Sequence, residues 1–173
     1  CLILYLISKN QYMSKVIKIK RGLNIPLAGV PEKVLIRSDV AETYAVKPTD
    51  FPGITPKLNV QVGDKVKAGS ALFHDKNRTD IVFASPVSGE VIEVRRGDRR
   101  VILEVVVKTD GNVEYEQFAV SNPSTLTKDQ ITEQLLKSGV WPFIRQRPYG
   151  VIANPTETPK SIFISCFDTA PLA

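Results

Sequence analysis

The strongest constraint on this chain is a pair of blocks in which glycines interrupt short apolar runs. The first is Val60-Gln61-Val62-Gly63-Asp64-Lys65-Val66-Lys67-Ala68-Gly69-Ser70-Ala71-Leu72, and the second is Phe83-Ala84-Ser85-Pro86-Val87-Ser88-Gly89-Glu90-Val91-Ile92-Glu93-Val94. Runs this short do not complete an amphipathic helix, and glycine adopts a turn with φ > 0 without steric cost. Gly63 and Gly69 are therefore expected in turns, Val66 and Leu72 pointing inward, and Pro86 and Gly89 sending the chain back across a sheet. The same texture runs from Val16 to about Phe118, with turn signals every ~8–12 residues, as in an all-β barrel or sandwich. It predicts strands at Val16–Lys20, Lys33–Ile36, Thr43–Val46, Leu58–Val60, Ala71–Asp75, Ile81–Ala84, Gly89–Val94 and Val101–Lys108. Lys108-Thr109-Asp110-Gly111-Asn112 carries the Asp-Gly pair of a tight reversal.

After Asn122-Pro123 the period changes. Thr127 as N-cap and Gln130 three residues on form a capping-box pattern for a helix over about Lys128 to Ser138, closed by Gly139 with Val140 as its apolar follower. Ile131 and Leu135 share a face with Leu136 beside them, and the expected partner of that face is a second domain. Trp141-Pro142-Phe143-Ile144-Arg145-Gln146-Arg147-Pro148-Tyr149-Gly150 reads as irregular. Ser161-Ile162-Phe163-Ile164-Ser165-Cys166-Phe167 reads as a strand buried on both faces of a parallel sheet. Such a strand needs a crossover and a neighbour, so the expectation is an N-terminal fragment of a longer protein.

Charge and composition exclude several classes. The net charge is +5, with acids interspersed among the bases, which argues against a nucleic-acid partner. The densest basic cluster, Arg95-Arg96-Gly97-Asp98-Arg99-Arg100, reads as a solvated hairpin tip centred on Gly97-Asp98 in preference to an anion site. Cys1 and Cys166 lie at opposite ends and offer neither a disulfide framework nor metal-ligand spacing, which favours a reducing compartment. His74, the only histidine, reads as a hairpin surface residue, so no metal site is expected. No run reaches the ~18–20 apolar residues of a membrane span. Residues 1–12, with an apolar run from Leu2 to Ile7, lack the features of a secretory signal and are expected to be an upstream or non-native extension, with Met13 the natural start. A lipoprotein beginning at Cys1 is the rival reading.

The two glycine blocks are similar to the halves of a biotinyl/lipoyl-type barrel-sandwich hybrid. In a carrier of that kind the hairpin between the halves presents a modifiable lysine, and Asp75-Lys76 stands at roughly that place. The link from Lys76 to Pro86 is longer than a carrier hairpin and no Met flanks the lysine, so a solvated turn residue is the better account. Further blocks, Arg21 to Gly29, Arg95 to Leu103, Ser138 to Pro148 and Ser161 to Leu172, resemble in order the A-subunit family of sodium-pumping NADH:quinone oxidoreductases. The resemblance implies a mixed fold: a β-rich barrel-sandwich hybrid over 13–120, then a helix and the start of an α/β Rossmann-like domain over 121–173. It implies a peripheral subunit on the bacterial cytoplasmic side of the inner membrane, reaching the membrane only through partner subunits. NADH, flavins and iron centres are expected on those other subunits, with no cofactor bound by this chain and ubiquinone as the one substrate candidate.

The same layout resembles the flavin- and NADH-binding subunit of complex I and the C subunit of the Rnf electron-transport complex. Those relatives carry a glycine-rich loop after the helix, whereas this chain has Trp141 to Arg147 there, which opposes phosphate binding. No Ser/His/Asp, Cys/His or paired-carboxylate constellation marks a self-contained enzyme, so activity is expected only within the complex. For a flat quinone head, aromatic walls and carbonyl donors are supplied by Trp141, Phe143, Arg145, Arg147 and Tyr149, with Phe51 as a further wall. The same residue types are favoured at subunit interfaces, and that reading is preferred. Asp168 and Thr169 stand just past the last apolar run, either at the ligand edge of an α/β sheet or as caps of a following helix. Three classes of function remain: component of the respiratory complex, biotin or lipoate carrier, and Rnf-type electron-transfer subunit.

Overall fold

The computed structural model describes residues 28, 29, 32, 34, 35 and 39–164. Residues 1–12, the predicted strand Val16–Lys20, and Ser165 onward, including Cys166, Asp168 and Thr169, lie outside the described residues. Of the strand predicted at Lys33–Ile36, Val34 and Leu35 are described; both are exposed and outside any strand.

Residues 37–162 form one compact unit. Its strands are β1 (Thr43–Val46), β2 (Pro56–Leu58), β3 (Lys65–Val66), β4 (Ala71–Asp75), β5 (Arg78–Ala84), β6 (Gly89–Arg96) and β7 (Ile102–Thr109). Helix α1 (Lys128–Lys137) and the short hairpin β8 (Arg145–Gln146) and β9 (Val151–Ile152) follow. One antiparallel sheet has the order β1-β7-β6-β3 and a second has the order β2-β4-β5. Strand β2 begins two residues before its predicted start, and β3 is too short to carry a periodic signal in the sequence.

The core lies between the sheets. Val66 and Leu72 point into it as expected, joined by Phe73, Ile81, Phe83, Val91, Val105 and Val107. Leu72 and Phe73 are consecutive and both fully buried, which strict strand alternation forbids. A register shift between Ala71 and Phe73 resolves the conflict, and Phe73 then stacks on Phe83 with centroids 4.6 Å apart. Gly63 (φ +96) and Gly69 (φ +102) occupy turns. Gly89 answers a stricter demand. At φ +150 it opens β6 so close to β7 that a Cβ there would lie 1.9 Å from the carbonyl oxygen of Lys108.

Gly97-Asp98 lies at the β6–β7 hairpin tip as expected, though the left-handed positions fall elsewhere. Gly97 has ordinary φ, and it is Arg99 (φ +54) and Arg100 (φ +62) that take the left-handed conformation. Hydrogen bonds from Gly97 N–H to Val101 O (2.8 Å) and from Arg96 Nη1 to Arg100 O (3.2 Å) hold this turn. His74 stands in the β4–β5 hairpin as expected, half-buried on β4 opposite Lys57 and paired through Nδ1 with Asn59 Oδ1.

Helix α1 has the predicted ends. Thr127 Oγ1 accepts from Gln130 N–H (3.3 Å) and Gln130 Oε1 accepts from Thr127 N–H (2.9 Å). Gly139 N–H donates to Leu136 O and Val140 N–H to Leu135 O, both at 3.2 Å, completing a Schellman motif with Gly139 at φ +70. The helix packs on β5 of the barrel, with Leu135 and Leu136 against its core, so the partner of its apolar face is the barrel and not a second domain. The stretch after it is ordered: a 3₁₀ turn over Trp141–Phe143 leads into the β8–β9 hairpin. Ser161–Ile164, the described part of the last apolar run, is exposed and in no strand, since a strand persists only where a neighbour accepts its backbone hydrogen bonds.

Candidate functional site

Two 3₁₀ turns and one hairpin bring the candidate residues to the barrel surface. Pro48–Asp50 ends with Phe51 N–H donating to Pro48 O, which delivers the Phe51 ring to the edge of the core. Phe51 meets buried Phe83 edge-on at 4.6 Å and Phe143 edge-on at 6.0 Å. Phe73, Phe83, Phe51 and Phe143 thus form a continuous line of rings from the centre of the core to a ring that is 70% exposed. The Arg145 guanidinium lies over Phe51, 5.5 Å from its centroid, and Nη1 donates to Gly150 O at 3.3 Å. A cation over a ring face is attracted by its quadrupole, worth about 0.5–1 kcal/mol at exposed sites.

The structure therefore joins Phe51, Phe143 and Arg145 and separates the others. Trp141 is buried in the core, and its Nε1 donates to Ala153 O at 2.8 Å, so neither its ring nor its N–H faces a ligand. Arg147 and Tyr149 stand on the turn between β8 and β9, Tyr149 being 86% exposed. Among the described residues neither Arg145 nor Arg147 forms an ion pair. An exposed ring, a guanidinium stacked beside it and two further exposed side chains make a surface that can press against a partner. They do not enclose a small molecule.

Lys76 stands exposed at the two-residue tip of the β4–β5 hairpin, its N–H donating to Thr55 O at 2.7 Å. Beside it is an arrangement that sequence reasoning missed. Asp75 is 1% exposed and accepts from Thr55 N–H (3.1 Å), Asn77 N–H (3.2 Å) and Arg78 Nε (3.1 Å), while Arg78 Nη1 donates to Ile152 O at 3.3 Å. A signal for it exists: strand alternation puts Asp75 on the face of Phe73, and an inward carboxylate three residues before an arginine calls for a pair. At the basic tip, Arg95 is bound by Glu93 (3.1 Å) and Glu104 (2.9 Å), and these carboxylates, Glu93 foremost, hold its pKa above the usual arginine value. Among the described residues no three His, Cys, Asp or Glu side chains gather as metal ligands.

Two packed sheets of short antiparallel strands, a capped helix and a short following hairpin define a barrel-sandwich hybrid leading into an α/β segment. Family models agree in extent: the NqrA N-terminal barrel-sandwich hybrid domain matches residues 17–110, and the NqrA second alpha/beta domain matches residues 126–173. The chain is similar to the A subunit of the Na(+)-translocating NADH-quinone reductase of Glaesserella parasuis, 39% identical over 159 residues, and to that of Pseudomonas aeruginosa, 38% identical over 159 residues. The A subunit of the Tolumonas auensis reductase is 39% identical over 160 residues. Each match covers 91% of this chain and 36% of the relative, so the chain spans about a third of the length of these relatives. The chain belongs to the A-subunit family of Na(+)-translocating NADH-quinone reductases.

Proposed function

We propose that this chain acts as a peripheral part of a sodium-pumping NADH:quinone reductase, contributing structure and partner contacts to a complex whose redox centres reside on other subunits. NADH oxidation, ubiquinone reduction and sodium export are assigned to the assembled complex, on the cytoplasmic side where NADH is available. Membership of the A-subunit family supports this reading. Among the described residues no helix is long and apolar enough to cross a membrane.

The observation that carries the local assignment is the outward cluster of Phe51, Phe143 and Arg145. An exposed phenylalanine next to an arginine that forms no ion pair among the described residues has the composition of an interface hot spot. We assign it as a contact for a neighbouring subunit. The test is to introduce Phe143→Ala with Arg145→Ala into the full-length protein and purify the complex from membranes. The expected result is a folded protein that recovers its partners poorly. Full recovery with normal activity removes the assignment.

A second reading has one specific support, because Arg145 over Phe51 sets a hydrogen-bond donor beside an aromatic wall, as a quinone head requires. Photo-crosslinking of a quinone analogue to the assembled complex separates the two. Labelling of Trp141–Tyr149 that disappears in the double variant, with assembly intact, favours quinone. The carrier alternative predicts an added prosthetic mass on Lys76, and the Rnf-type alternative predicts flavin absorbance in the purified chain.

A further inference from the structure

The tip of the β6–β7 hairpin has no part in the proposed subunit contact, and its construction calls for a partner of its own. Arg96, Arg99 and Arg100 are all exposed there against a single acid, Asp98, and none of the three is in an ion pair among the described residues. Arg95, one residue toward the sheet, is held by Glu93 and Glu104, so the uncompensated charge is concentrated at the tip itself. Apolar side chains stand among these arginines: Val101 is 51% exposed, and Leu103, 39% exposed, lies over Gly97. The turn is also held in shape by its hydrogen bonds from Gly97 to Val101 and from Arg96 to the Arg100 carbonyl. Arg99 and Arg100 both occupy left-handed backbone, which glycine or asparagine would adopt with less strain. Arginine at both positions keeps two guanidinium groups at the price of that strain.

We propose that this hairpin tip is a contact site for an anionic phospholipid surface, with Arg96, Arg99 and Arg100 engaging headgroup phosphates and Val101 and Leu103 entering the boundary beneath them. Guanidinium groups bind phosphate oxygens in pairs, and a narrow convex tip can insert among headgroups. Apolar side chains beside unpaired arginines on a narrow tip match a surface that is anionic outside and apolar just beneath, as a phospholipid headgroup layer is. The proposal goes beyond the subunit-contact reading and is measured without the other subunits, so either can fail alone.

The test is flotation of the whole chain with phosphatidylcholine vesicles containing phosphatidylglycerol, beside vesicles of phosphatidylcholine only. Binding is expected on the anionic vesicles alone and is expected to weaken as salt rises. Arg99→Gly with Arg100→Gly removes both charges while relieving the backbone, so the fold is kept and partitioning is expected to fall roughly 30-fold, from about fivefold per arginine. Arg99→Lys with Arg100→Lys keeps the charge but loses the paired contacts, and is expected to bind more weakly than the parent and more strongly than the glycine pair. Val101→Ser is expected to lose several-fold with an unchanged salt dependence. Equal binding to neutral vesicles, undiminished binding of the glycine pair, or no binding at low salt each overturns the proposal. So does a glycine pair that binds vesicles normally but fails to recover a protein partner, since the tip would then serve a protein.

Discussion

Trp141 Nε1 donates to the carbonyl of Ala153 at 2.8 Å, and this bond makes the only tryptophan of the chain a core residue. Trp141 belongs to the buried cluster of the barrel, and its 3₁₀ turn lies against β5 and β9. Trp141→Phe keeps most of the apolar area and loses the N–H donor, which costs about 1 kcal/mol by the usual worth of a buried hydrogen bond. Trp141→Ala leaves a cavity as well and costs about 3–5 kcal/mol. Urea unfolding of the two variants checks the order. Equal, negligible losses would show that the ring is dispensable to the core.

Gly89 and Gly111 both have positive φ, yet alanine is expected to act very differently at the two. At Gly111 (φ +83) a Cβ meets nothing within 4 Å, and only the left-handed penalty of about 1–2 kcal/mol applies. At Gly89 the Cβ collides with backbone at 1.9 Å, so β6 must move away from β7. Gly89→Ala should fail to fold or melt far below Gly111→Ala in a thermal scan. Similar melting temperatures would contradict the close approach.

Among the described residues Asp75 is the carboxylate that is both fully buried and met by three donors. Arg78→Ala leaves that buried carboxylate without its cation, for a loss of about 3–5 kcal/mol. Asp75→Ala strands the N–H groups of Thr55 and Asn77 but leaves the partly exposed Arg78 free to reach water, and is expected to cost less. Chemical denaturation of both variants measures the asymmetry, and a larger loss for Asp75→Ala would reverse it.

Lys137 Nζ sits 2.6 Å from Glu133 Oε1 on α1, and its hydrogen bond and charge hold the Glu133 carboxyl below the ordinary range. The folded pKa is thus lower than the unfolded one. The resulting stabilisation is present above the unfolded value and is lost as pH falls through the folded value. Glu133→Gln should therefore melt slightly below the parent at neutral pH and together with it in acid. A difference that grows in acid would give the opposite sign.

How much of the fold and the site is legible in the sequence depends on whether a residue's role is set by its neighbours in the chain. Thr127, Gln130 and Gly139 mark the ends of α1 because caps are local chemistry, and each stands as read. The Val60–Leu72 block announces its turns and inward residues for the same reason. Trp141 is not legible as a core residue, because aromatics, arginines and prolines look alike in a binding surface and at a junction; the Ala153 carbonyl that claims it is twelve residues away. The Asp75–Arg78 pair has a local signal, an inward carboxylate three residues before an arginine, yet the Ile152 carbonyl that Arg78 also meets is 74 residues away and no local pattern reveals it. The site is legible in part: the chemistry of Phe143 and Arg145 marks them, Phe51 enters as a further wall, and the fold brings these three together.

The Arg78 bond to the Ile152 carbonyl bears on where this protein can be cut. The two family matches leave an unclaimed interval between residues 110 and 126, an inviting boundary for dividing the chain. The physical seam is elsewhere, because Trp141 and Ile152 complete the interior of the barrel and Arg78 fastens its hairpin to β9. A fragment stopped in that interval would carry an open core and an Arg78 without its Ile152 acceptor. The family boundary and the compact unit do not coincide here, since the unit continues past that interval through β9.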